Sequence, residues 1–133
     1  MELALAFKLH SAVRYLVLVA GLAAVAKLAL SWRRGGRPDR GDRALATAFT
    51  ALFDLQLVLG ALTFALGVFA PRIAGHLALT LGAAALLHSL QVRNRRRSEP
   101  GVALPLLAIT GAMVLVVLGM LAIGRGPLTA TAF

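Results

Sequence analysis

Six side chains able to do chemistry stand in stretches that are otherwise apolar: His10, Arg14, Asp54, Gln56, His76 and His88. A polar or ionisable side chain in such a stretch is costly unless something satisfies it, so each is a candidate for function. The chain has no cysteine, which excludes disulfides, thiolate metal sites, iron–sulfur clusters and covalently attached haem. It also has no P-loop, HExxH or GxSxG motif, so a self-contained hydrolase or metalloprotease is not expected.

His10 and His76 are the predicted axial ligands of a b-type haem (haem b). Each imidazole has a nitrogen lone pair that can bind iron, and a flat macrocycle fits between helices whose neighbours carry glycine and alanine. Arg14 follows His10 by four residues on the same helical face, so it can reach a haem propionate. Lys8 and Arg72 are further candidates for the propionates. For either histidine alone, a neutral ring at headgroup depth, bonded to a carbonyl or to water, is the plainer interpretation.

Asp54, Gln56 and His88 form a second group. A carboxylate deep in a membrane has to be protonated or paired. We expect Asp54 to pair with Arg14 and so to link the first two helices; the alternative is a proton relay from Asp54 towards His88. Gln56 is predicted to hydrogen-bond between helices. His88 is predicted to be a hydrated ring at the membrane surface, with a single-histidine haem or a quinone contact as alternatives.

The composition places these residues in a membrane protein. The chain has 133 residues, of which 59% are hydrophobic and 14% charged, whereas about a quarter of a soluble domain is charged. The length predicts one domain, residues 1–133. The net charge is +9, but nine of the 14 basic residues lie in two short segments between apolar runs. This pattern favours a topology signal and contact with anionic lipid headgroups over nucleic-acid binding.

Four apolar runs are long enough to span a bilayer, at about 3–32, 44–70, 73–92 and 102–124, followed by a short tail at 125–133. The early Glu2 and the unbroken first run are not typical of a signal peptide, so we expect this run to be retained as a spanning helix. Asp42 is placed to cap the second helix. Because the connections are short, consecutive helices should be antiparallel neighbours. The predicted fold is an all-α, up-down-up-down four-helix transmembrane bundle.

Arginine counts predict the orientation of this bundle. The segment from Arg33 to Arg43 carries five arginines and the segment from Arg93 to Arg97 carries four, and both lie on one side. The positive-inside rule places that side in the cytoplasm and both termini outside. His10 and His76 then lie in the same leaflet on diagonal helices. His76 precedes Arg93 by 17 residues, as His10 precedes Lys27, or about 26 Å of helix in each case.

Three short segments resemble parts of small bacterial four-helix membrane proteins described as cytochrome b-like. They are His10-Ser11-Ala12-Val13-Arg14-Tyr15, Gln56-Leu57-Val58-Leu59-Gly60 and Gly75-His76. The resemblance covers most of the four spans and implies an inner-membrane protein with His10 and His76 as haem-ligand candidates. The chain departs from that pattern at Gly75, where an acidic residue often precedes the histidine.

Two functions of different classes follow from these observations. The first is a small b-type haem protein that transfers electrons in the bacterial inner membrane, exchanging them with quinone or a larger respiratory complex. The second is a cofactor-free accessory subunit of a respiratory or photosynthetic complex, or a homo-oligomer, held by helix packing. A proton or metal-ion carrier is a third hypothesis, which requires an aqueous path linking Asp54 and His88.

Overall fold

The computed structural model describes residues 2–67, 71 and 73–129, and within them all regular secondary structure is helical. The helices are α1 (Leu3–Arg33), α2 (Arg40–Ala65), α3 (Ile73–Arg95) and α4 (Ala103–Ala122). Each is long and apolar enough to cross a membrane, which is the composition of a multi-pass membrane protein. The predicted all-α fold class is therefore confirmed.

The second helix differs most from its predicted bounds, because α2 begins at Arg40 and ends at Ala65. The positions 68–70 that were assigned to it lie outside the described residues. Asp39 is the N-cap residue, and Asp42, which was predicted to cap this helix, takes part in the cap from the third helical position. The Asp39 carboxylate accepts from the Asp42 backbone N–H at 2.9 Å, and the Asp42 carboxylate accepts from the Asp39 backbone N–H at 2.8 Å. This reciprocal capping box satisfies two backbone donors and fixes the start of α2.

Helices α1 and α2 pack as an antiparallel pair. Lys27 lies beside Asp39 at one end of the pair, and His10 lies beside Gly60 near the other. Between them Gly21 permits a close approach, since a Cβ there would lie 2.9 Å from Phe49 Cε2 and would collide with Met113 Sδ of α4. The glycine is thus required by two neighbouring helices at once.

Helices α3 and α4 form a second antiparallel pair. Leu86 packs against Gly111, and His76 packs against Gly119 nearer the start of α3. Since α1 also runs antiparallel to α4, α1 and α3 point in the same direction. Among the described residues they do not pack directly against each other, and α2 and α3 approach closely at only a few positions. The two pairs are joined chiefly through α1 and α4.

The best-packed part of the molecule lies in the half nearer the arginine-rich loops. Its largest fully buried side chains are Phe49, Phe53, Leu28, Leu87, Ile109, Val102 and Asp42. Large aliphatic side chains face outward instead, such as Leu16 at 56% exposure and Val19 at 66%. A surface of this kind suits lipid, because each helix satisfies its own backbone hydrogen bonds.

Both arginine-rich loops lie at the same end of the helices, as predicted. The Val102 backbone N–H donates to the Gly36 carbonyl at 3.3 Å, and Asn94 both donates to and accepts from Gly101. At this end the Lys27 ammonium lies 2.6 Å from Asp39. That contact, with the backbone N–H groups of Asp42 and Gly41, lowers the pKa of Asp39 to about 2. We call this end the arginine-rich end and the opposite one the histidine end.

Candidate functional site

Every buried side-chain polar atom that lacks a hydrogen-bond partner in the described part of the chain belongs to a residue singled out from the sequence. These atoms are His10 Nδ1, Arg14 Nε, Gln56 Oε1 and His76 Nδ1. Buried polar atoms are nearly always paired, because an unpaired one loses its hydration without compensation. Four unpaired atoms on four polar residues towards one end therefore mark a place where a partner is expected. We call His10, Arg14, Gln56 and His76 the histidine cluster.

The His10 ring lies in the interface between α1 and α2. Gln56 donates from Nε2 to the His10 carbonyl at 3.0 Å, which confirms its predicted role as an interhelical hydrogen-bonding residue. The same Gln56 nitrogen lies 3.4 Å from His10 Nε2. A Cβ at Gly60 would stand 3.1 Å from His10 Cε1, so a larger residue there would press on the ring in this position. Gln56 and Gly60, one turn apart, thus hold the imidazole between them.

His76 packs against α4 in the same way that His10 packs against α2. A Cβ at Gly119 would lie 3.2 Å from His76 Nδ1 and 3.4 Å from its carbonyl oxygen. That carbonyl accepts the Thr80 hydroxyl at 2.7 Å, a common bond one turn along a helix. The His76 ring is close enough to His10 to interact with it electrostatically. Each histidine therefore rests on a glycine of its partner helix, and the two rings belong to one region.

Arg14 is 8% exposed and has a different partner from the one expected. Its guanidinium donates from Nη2 to the Tyr15 hydroxyl at 2.8 Å and to the Thr129 carbonyl at 2.9 Å. It also lies over the Tyr15 ring, 4.7 Å from the centroid, in a cation–π contact. The predicted Arg14–Asp54 pair is wrong. Arg14 also interacts electrostatically with His10.

The donor set of the histidine cluster fits haem iron. A porphyrin supplies four nitrogens, so the protein needs to add only two axial ligands, and imidazole is the usual one. Within the described residues no group of three or more His, Asp or Glu side chains comes together, so a metal ion held by protein side chains alone has no such set here. Two imidazoles and a guanidinium close to one of them are the side-chain types that would hold a haem and a propionate, and both unpaired Nδ1 atoms lie against a glycine of the neighbouring helix. Arg72, another propionate candidate, lies outside the described residues.

The Asp54 carboxylate and the His88 imidazole form a close pair towards the arginine-rich end, with His88 Nε2 2.8 Å from Asp54 Oδ1. His88 was predicted as a hydrated ring at the membrane surface; its side chain is 45% exposed, and Asp54 is a partner that this prediction did not include. The pair links α2 to α3, and Gln91 makes a parallel link by donating to Thr50 Oγ1 at 2.7 Å. Carboxylate and imidazole satisfy each other here, in contrast to the unpaired rings of the histidine cluster.

Sequence reasoning missed three features of these sites. Gly60 and Gly119 were not singled out as contacts of the histidines, although each lies against a histidine ring. The signal for Gly60 is its distance of four residues from Gln56, which places both on one helical face. Thr50 and Gln91 were not singled out. Thr50 precedes Asp54 by four residues and Gln91 follows His88 by three, so each lies on the same helical face as the residue beside it.

No known protein family, no curated protein and no solved structure matches this chain.

Proposed function

We propose that this chain is a small b-type haem protein that transfers electrons in the bacterial inner membrane. The observation that carries the proposal is the coincidence of four unpaired buried polar atoms with the two histidines, one glutamine and one arginine of the histidine cluster. A structural histidine in an apolar setting finds a partner, as His88 does with Asp54. His10 and His76 have none for Nδ1, which supports a role in binding a group that the chain does not itself provide.

His10 and His76 would hold the iron, and Arg14 would meet a propionate. The bound haem supplies one-electron oxidation and reduction. Gln56 fixes the orientation of the His10 ring through its bond to the His10 backbone and its proximity to Nε2. Outer partners of this kind keep an imidazole in the tautomer and direction that a metal requires.

The topology proposed with this function is an up-down-up-down bundle with both termini outside the cytoplasm. The two arginine-rich loops at one end support it through the positive-inside rule. In this orientation the histidine cluster lies in the outer leaflet, and electrons would be exchanged there with quinone or a larger respiratory complex. Anionic lipid headgroups would contact the arginine-rich segments on the cytoplasmic side.

An optical spectrum of the purified protein tests the haem directly. The wild-type chain should show a Soret band and, after reduction, the sharp α-band of a six-coordinate b-type haem. Both should be lost in His10→Ala and in His76→Ala. His88→Ala is the matched control, because it removes a third histidine of the same chain that is paired with Asp54, and it should keep the spectrum. A colourless wild-type protein purified from haem-replete cells would overturn the proposal.

A second candidate, a cofactor-free accessory subunit or a homo-oligomer, is favoured by one face of α3. Ala78, Gly82, Ala85 and Ser89 are all exposed at spacings of four, three and four residues. A Cβ at Gly82 would meet nothing within 4 Å. Small residues on an open helical face allow another transmembrane helix to approach closely. If this candidate is correct, Gly82→Leu should abolish copurification with a larger complex or a second copy, while His10→Ala should leave the assembly intact.

A further inference from the structure

A cleft between α2 and α3, lined by both polar and apolar side chains, leads from the arginine-rich end to Asp54, the partner of His88. On α2 the lining residues Arg43, Thr47, Thr50 and Asp54 follow one another at spacings of four, three and four, so they form one helical face. From Arg43 to Asp54 this face extends about 16 Å along the helix. We call this cavity, of about 550 Å³, the α2–α3 cleft.

The α3 residues that line the cleft also lie on one helical face. Gln91 and Arg95 line it and stand three and seven residues after His88, on the same face as that histidine. Asp54 is the α2 lining residue furthest from the arginine-rich end, so the cleft ends at the Asp54–His88 pair. The Gln91–Thr50 hydrogen bond crosses between the helices one turn before it.

The Asp54–His88 pair is not sealed by the protein. The side chain of His88 is 45% exposed and that of Asp54 is 47% exposed. At this depth an open carboxylate–imidazole pair facing acyl chains would lose most of its hydration, which is strongly unfavourable. Water in the α2–α3 cleft would remove this difficulty, because it would solvate the open sides of both groups and extend to the surface past Thr50, Thr47 and Gln91.

The charged groups around the cleft decide which species it admits. Arg43 and Arg95 stand at its rim, and Asp42 is 1% exposed and already bound by Lys27 and Ser31. From α4 the lining includes Pro105, and no titratable residue of that helix takes part. Two unpaired guanidinium groups repel metal cations. A proton differs from them because it moves along hydrogen-bonded water and needs no site of its own at the rim.

We propose that the α2–α3 cleft holds water and delivers protons from the arginine-rich end of the helices to the Asp54–His88 pair. A hydronium ion in the cleft gives up one proton and becomes water, and the carboxylate–imidazole pair gains that proton and one positive charge. The reverse step returns the proton to the same side. The proposal concerns the opposite end of the molecule from the haem and does not depend on it.

The absence of cysteine from the natural chain makes the water content of the cleft measurable. Single-cysteine variants Thr47→Cys and Ala51→Cys place a thiol on the lining. Ala48→Cys and Leu55→Cys are matched controls, because both residues are exposed at similar depths but do not line the cleft. In reconstituted vesicles, a charged methanethiosulfonate should label the two lining thiols about tenfold or more faster than the controls, because only a hydrated thiol ionises and reacts. Equal rates, as expected for a cleft filled by lipid, would overturn the proposal.

Deuterium exchange at the imidazole C2 position, followed by mass spectrometry, tests the proton step itself. This exchange requires both water and a protonated ring, so it reports on the two properties together. His88 should exchange several times faster than His10 and His76 in the same sample, and its rate should change in Asp54→Asn. Exchange at His88 as slow as at the other two rings, or a rate unaffected by Asp54→Asn, would contradict proton binding by the pair.

Discussion

The histidine rings at the two ends of this molecule differ in whether the protein supplies a hydrogen-bonding partner. At the arginine-rich end His88 contacts a carboxylate at 2.8 Å, and the neighbouring Asn94, Gln91 and Asp42 are also hydrogen-bonded. At the histidine end the His10 and His76 rings each keep a buried Nδ1 without a partner. The same residue type in the same chain is thus satisfied by protein at one end and left unsatisfied at the other. Under the proposed function, the difference separates polar groups that hold helices together from polar groups that bind the haem.

Replacing the glycines that contact the two histidine rings should produce the largest effect. Gly60→Leu and Gly119→Leu place a side chain where a Cβ alone would already lie 3.1 Å and 3.2 Å from His10 and His76. We expect haem affinity to fall about a hundredfold or more, roughly 2.7 kcal/mol, in a titration followed at the Soret band. Gly82→Leu is the matched control, since that position is open, and its affinity should be unchanged. Equal losses in all three variants would indicate a general effect on helix packing.

Removing an unsatisfied ring should stabilise the haem-free protein. In His76→Phe an aromatic ring of similar size replaces one with an unpaired buried nitrogen. We therefore expect the unfolding free energy of the haem-free chain to rise by about 1 kcal/mol, while haem binding is lost. Reversible unfolding in mixed micelles measures the first effect and the optical spectrum the second. A fall in stability would mean that His76 has a structural partner and would weaken the contrast between the two ends.

At the arginine-rich end, removing a paired side chain should lower the unfolding free energy instead of raising it. Asp54→Leu leaves His88 without its carboxylate, and the unfolding free energy should fall by about 0.5 kcal/mol, a usual value for a half-exposed or intramembrane polar pair. Asp54→Asn keeps a hydrogen-bonding group and should lose less. Neither variant should alter the haem spectrum. A changed spectrum would show that the two ends are coupled.

The smallest effect concerns the capping box. Because contacts in the folded protein lower the pKa of Asp39 to about 2, below its ordinary value of 3.8, the carboxylate contributes stability above pH 3.8 and loses it as the pH falls towards 2. The melting temperature of the wild-type protein should therefore decrease slightly more over this interval than that of Asp39→Asn. Parallel curves would show that the ion pair with Lys27 does not contribute in solution.

The helices were predictable because their signals are local. Runs of about 20 apolar residues and arginine-rich loops need no knowledge of tertiary structure, and both placed the elements within a few residues. The start of α2 was missed because Arg40 and Arg43 were assigned to a solvated loop, although arginine is also a good helix former. Asp39 lay one residue before that arginine and supplied the cap.

The pairing of side chains was less predictable than their importance. The histidine cluster and Asp54 were singled out because ionisable groups in apolar runs are costly, and that reasoning does not depend on where the helices meet. The identity of the group that pairs with Asp54, however, depends on where the helices meet. Arg14 and Asp54 were expected to meet on adjacent helices, but α2 turns the face carrying Asp54 towards α3 and His88. Rotation of a helix about its axis is set by packing with its neighbours, which a single sequence does not reveal.

A titration of haem into the haem-free chain, followed at the Soret band, tests the central claim most directly. The wild-type protein and His88→Ala should each bind one equivalent of haem per chain. His10→Ala and His76→Ala should not form the six-coordinate species, although both should keep the helical content of the wild type by circular dichroism. Binding of haem by His10→Ala and His76→Ala as tightly as by the wild type, or no binding by any of the four proteins, would contradict the account.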